Sequence, residues 1–72
     1  MLNNDTPQFY TIRVQGHLDP LWSKWFDGMS LVHVDGSTLL SGQVADQAAL
    51  YGLLARLNDL GLTLIAVERA EP

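Results

Sequence analysis

The residues of this chain equipped for acid–base or metal chemistry are His17 and His33, with Asp19, Asp27 and Asp35 near them in sequence. A metal site needs such ligands at spacings that bring them to one face or loop, and no HExxH, HxH or EF-hand spacing occurs. Covalent catalysis needs a nucleophile, a base and an orienting group that converge. Ser23, Ser30, Ser37, Ser41 and several threonines supply hydroxyls, but none sits in a GxSxG turn, and the two histidines fall in different elements. A glycine-rich phosphate cradle is also missing, since the six glycines are isolated from one another. The expectation is no catalytic residue, no metal and no cofactor. His17 reads as a polar loop residue, and His33 as a surface or hydrogen-bonded histidine near a strand end.

Composition narrows the partners. With 72 residues there is room for one domain, and a chain of this size buries only about 60% of the surface its unfolded form exposes. There is no cysteine, hence no disulfide framework and no Cys-containing zinc site to reinforce it. A hydrophobic fraction of 47% against 17% charged residues belongs to a folded globule. The formal charge of −4 repels phosphate backbones and anionic membranes, and Arg13, Lys24, Arg56 and Arg69 are scattered along the chain. Neither nucleic acid nor membrane is an expected partner, and no leader-like or membrane-spanning run is seen, so the expected location is cytoplasmic.

The elements that must position these residues follow from periodicity. Residues 1–8 read as a flexible lead and 9–72 as a single domain. From Phe9 the chain alternates, Tyr10, Ile12 and Val14 against Thr11, Arg13 and Gln15, the pattern of a half-buried strand ended by Gly16. In "LDP", Asp19 caps a short helix with Pro20 at its first position, and Gly28 stops it after Asp27. "MSLVHV" and "TLLSGQV" flank Asp35-Gly36, a dipeptide suited to a type I′ hairpin. With a two-residue loop, Val34 faces Ser37, Val32 faces Leu39 and Leu31 faces Leu40; a bulged loop would shift this register. Asp46 caps a longer helix in which Leu50, Leu53, Leu54, Leu57 and Leu60 form one stripe, and Gly61 ends it. Gly52, on the outward side with Ala48 and Ala55, reads as a tolerated surface glycine or as room for another helix. "LTLIAVE" closes the chain as a strand, with Leu62, Leu64 and Ala66 on one face and Thr63, Ile65 and Val67 on the other.

This βαββαβ order predicts an α+β fold, a ferredoxin-like sandwich with two helices on one face of a four-stranded antiparallel sheet. The right-handed crossover rule puts the first and third strands at the centre and the second and fourth at the edges. RNA-recognition modules share the order, but "TLLSGQV" has neither an aromatic nor a basic residue to stack or pair with bases. The helix-free face is more informative. Strands there are apolar on both sides, so Val32, Val34, Leu39, Ile65 and Val67 are expected to form an exposed patch, and such a patch marks an interface. The simplest occupant is a second copy, giving a homodimer through the sheet face or an edge strand, with another protein as the alternative.

The aromatic run "HLDPLWSKWF" admits two readings. Projected as an α-helix, Leu18, Leu21, Trp22, Trp25 and Phe26 span an arc of about 140°, a core stripe in which large rings supply area that a short helix cannot supply with leucines. The second reading leaves an indole edge free, so that His17, Trp22 and Trp25 line a ligand or partner groove.

"GHLDPLWSKWFDGM" and "LSGQVADQAALYGLLARLNDLGLTLIAVE" together resemble a group of short, free-standing bacterial proteins with no assigned function. That resemblance implies a stand-alone cytoplasmic domain and transfers no catalytic residue. "GLLARLNDLGLTLIAVE" is similar, more weakly, to ACT-type regulatory domains, although here the helix precedes the last strand, so no ligand residue maps across. The expected function is a non-catalytic homodimeric interaction or regulatory module. A small-molecule-binding ACT-like sensor is the alternative, and a small acid–base enzyme the third reading.

Overall fold

The computed structural model describes residues 7–26 and 28–70. Most of the expected lead, and the helix-end position Asp27, lie outside these residues. Strand β1 (Gln8–Gln15) takes in the last residue assigned to the lead and is followed by a 3₁₀ helix (Pro20–Phe26). Then come β2 (Ser30–Val34), β3 (Ser37–Val44), helix α1 (Gln47–Asp59) and β4 (Thr63–Ala70). The four strands form one antiparallel sheet in the order β2-β3-β1-β4, with β1 and β3 central. The protein is therefore α+β, with one α-helix and one 3₁₀ helix among the described residues.

Both helical segments contribute buried residues to one core on the same side of the sheet. Tyr10, Ile12 and Val14 of β1, Leu40 and Val44 of β3, Leu18 and Phe26 around the 3₁₀ helix, and Leu50, Leu53 and Leu57 of α1 make one buried cluster. Each fully buried side chain of this kind contributes about 1.5–3 kcal/mol. The α1 stripe is the one expected: Leu54 and Leu60 pack at its margin. Asp46 caps the helix, its carboxylate accepting the Ala49 N–H at 2.8 Å. At the other end Gly61, at φ 77°, lets its own N–H reach Asn58 O at 2.9 Å and Leu62 N–H reach Leu57 O at 3.1 Å, a Schellman motif.

The hairpin has the expected register, with Val34 opposite Ser37, Val32 opposite Leu39 and Leu31 opposite Leu40. Asp35 and Gly36 take φ of 49° and 79°, the paired positive values that a type I′ turn requires.

Two expectations are corrected. The first concerns the aromatic helix, which is 3₁₀ and not α. Its first turn is closed by an i→i+3 bond, Trp22 N–H to Asp19 O at 2.9 Å, while the Asp19 carboxylate accepts the Leu21 N–H at 2.9 Å. With three residues per turn, residues three apart eclipse one another, so only the column of Ser23 and Phe26 faces the sheet. Phe26 is fully buried, whereas Leu21 is 83%, Trp22 38% and Trp25 44% exposed. The α-helical projection had placed all four in the core.

The second correction concerns β4. A register shift against β1 falls between Arg13 and Val14: Arg13 pairs with Ala66, and Val14 pairs with Leu64, leaving Ile65 as the extra residue. A bulge of this kind breaks strict alternation. Val67 consequently lies opposite Ile12 and packs against the core, while Ala66 joins Ile65 on the other side.

Candidate functional site: the open face of the sheet

The side of the sheet without helices carries Thr11 and Arg13 from β1, Leu39 and Ser41 from β3, Val32 and Val34 from β2, and Ile65, Ala66 and Glu68 from β4. Val32 is 53% and Ile65 49% exposed, and Leu39 is half-buried between strands. A shallow concavity of about 380 Å³ opens here, lined by Thr11, Arg13, Leu39, Ile65, Ala66 and Glu68. Four of the five expected interface residues, Val32, Val34, Leu39 and Ile65, share this face. Val67 does not, for the reason given by the bulge. Arg13 and Glu68 went unremarked as site residues in the sequence, because only the β1–β4 register brings them to one surface.

On the helical side the residues expected to line a groove make ring contacts of their own. His17 stacks on His33, ring centroids 4.4 Å apart and planes at 18°. His33 Nε2 donates to the Leu18 carbonyl at 2.8 Å, which places the proton on Nε2, since a carbonyl oxygen only accepts. Trp22 instead meets Trp25 edge to face, centroids at 5.2 Å, and Trp25 meets Phe26 at 5.5 Å. The Arg56 guanidinium lies 6.0 Å over the Trp25 ring and donates to Trp25 O at 2.7 Å, tying α1 to the 3₁₀ helix.

The hydroxyls have structural partners. Ser23 donates to Met29 O at 2.7 Å, and Thr11 and Ser41 share a bond at 3.5 Å. Thr38 donates to Gly16 O at 2.7 Å. None of these hydroxyls bonds a histidine. Among the described residues no group of three or more His, Cys, Asp or Glu is placed to hold a metal, and no buried polar side-chain atom lacks a hydrogen bond. No helix among them is long and apolar enough to cross a membrane.

These features define a class: a small α+β protein with one face of its antiparallel sheet packed under helices and the other left open, with Val32, Val34, Leu39 and Ile65 set among polar residues. A family described as a domain of unknown function (DUF8691) matches residues 9–68, and the chain belongs to that family. No curated protein and no solved structure matches it.

Proposed function

We propose that the protein is a ferredoxin-like homodimer, a non-catalytic interaction or regulatory module whose two copies meet through the open sheet face. One observation carries this reading: Val32 and Ile65, about half exposed, and Leu39, paired with Val32 across the hairpin, lie on the side of an antiparallel sheet where contact with water favours polar residues. The ferredoxin-like assignment rests on the antiparallel sheet with β1 and β3 at its centre and on the two helical connections, β1 to β2 and β3 to β4, packed on one side.

A second copy is favoured over a foreign partner by charge. The chain as a whole carries −4, which opposes self-association, but among the described residues this face holds one cation, Arg13, and one carboxylate, Glu68. Those two charges balance, so two acidic molecules can meet on this face without net repulsion. Burying it also supplements a core that a short chain cannot enlarge.

Mass in solution tests the reading. Light scattering or sedimentation at tens of micromolar should give twice the chain mass, and Val32→Asp should give the monomer mass with the circular dichroism of the fold retained. A wild-type monomer, or an unchanged dimer in Val32→Asp, would sink it.

A further inference from the structure

Arg13 and Glu68 have a relationship on the open face that no contact within the chain uses. Arg13 lies on central strand β1, its backbone flanked by Leu39 on one side and Ala66 on the other. Glu68 lies on edge strand β4 opposite Thr11, one diagonal step from Arg13. Diagonal neighbours in a sheet stand about 7–8 Å apart, within reach of long side chains such as these. Both line the same concavity, yet neither side chain makes a hydrogen bond or ion pair among the described residues. A cation and a carboxylate thus line one concavity without an ion pair between them among the described residues.

We infer that Arg13 of each copy pairs with Glu68 of the second copy, and that these two reciprocal ion pairs set the register in which the sheet faces dock. This rests on the dimer reading and adds its geometry. In a face-to-face dimer the two-fold axis lies in the interface. An axis through the midpoint between Arg13 and Glu68, perpendicular to the line joining them, exchanges their positions. Every Arg13 then stands over a Glu68 and every Glu68 over an Arg13, so both pairs form together.

The same axis runs over the concavity, where Leu39, Ile65 and the aliphatic stem of Arg13 supply apolar contact. Other registers bring Arg13 over Arg13, Glu68 over Glu68, or either group against an apolar wall, and each leaves a charge desolvated without a partner. The apolar residues hold the copies together; the charges choose one arrangement.

Reversal of charge tests the inference. The dimer dissociation constant is measured by sedimentation equilibrium for the wild type, Arg13→Glu, Glu68→Arg and the double variant. Each single variant should weaken the dimer by about tenfold or more, and the double variant should recover most of that loss. An equimolar mixture of the two single variants should associate more tightly than either alone, because complementary charges face each other again only in the mixed dimer.

Should Val32→Asp dissociate the dimer while the charge variants leave its affinity unchanged, the face is the interface and the ion pairs are not its register, and the inference is overturned. A double variant that stays as weak as the singles, or a mixture with no gain, overturns it too. A wild type that is monomeric removes both readings. If a charge reversal unfolds the chain, Arg13→Gln and Glu68→Gln replace it, with the expected weakening largest at low salt and no salt dependence counting against the pairs.

Discussion

The Thr38 hydroxyl, fully buried on β3, accepts the N–H of Leu18 at 3.0 Å and so fastens the loop before the 3₁₀ helix to the centre of the sheet. The same hydroxyl donates to Gly16 O at 2.7 Å, and His33 holds the Leu18 carbonyl, so one short loop is pinned from two neighbouring strands. Thr38→Val keeps the shape and removes both bonds, stranding a buried N–H. A loss of about 2 kcal/mol in urea unfolding is expected, with Thr38→Ser close to wild type. Equal losses in the two variants would mean that the methyl group matters and the hydroxyl does not.

Gly36 and Gly52 should respond to alanine in opposite directions. A Cβ added at either meets nothing within 4 Å, so space does not decide the outcome. Gly36 has φ of 79° in the hairpin turn, and Gly36→Ala should cost about 1 kcal/mol. Gly52 sits in ordinary helical backbone, and Gly52→Ala should add up to about 1 kcal/mol. Thermal melts would resolve both, since about 1 kcal/mol moves Tm by roughly 4–8 °C in a domain of this size.

Neighbouring residues on β4 should fail differently when given a charge. Ile65→Asp places a carboxylate on the open face and should dissociate the proposed dimer while leaving the monomer folded. Val67→Asp places it against the core and should cost the fold about 2 kcal/mol or more. Paired measurements of mass and unfolding free energy check this; a destabilisation as large in Ile65→Asp as in Val67→Asp would contradict the bulge.

Both indoles should behave as surface groups. Tryptophan emission is expected to be red-shifted and strongly quenched by acrylamide, as Trp22 and Trp25 are each more than a third exposed. Arg56→Ala removes the cation over Trp25 and the bond to its carbonyl, so the emission should change while stability falls by about 1 kcal/mol or less. Blue-shifted, unquenched emission would return the indoles to the core.

Much of this architecture was legible in the chain because its determinants are local. Asp35-Gly36 selects a turn by backbone conformation, Asp46 and Gly61 bound α1 through capping bonds, and leucines at helical spacing name its buried stripe. Tyr10, Ile12 and Val14 name the buried face of β1 by alternation alone. The site was legible only in part. Val32 and Leu39 come together through the hairpin register, which the turn dictates.

What only the tertiary structure decided involves partners distant in sequence or a change of period. The bulge against β1 moved Val67 under the helices and set Arg13 beside Glu68, a result of strand pairing across more than fifty residues that no local pattern encodes. Likewise "PLWSKWF" is apolar enough for a core helix, yet its 3₁₀ winding turns only Phe26 and Ser23 inward and leaves both tryptophans at the surface. A sequence specifies which residues are apolar; the number of residues per turn, chosen by how the segment is bonded at its ends, specifies which of them the core receives.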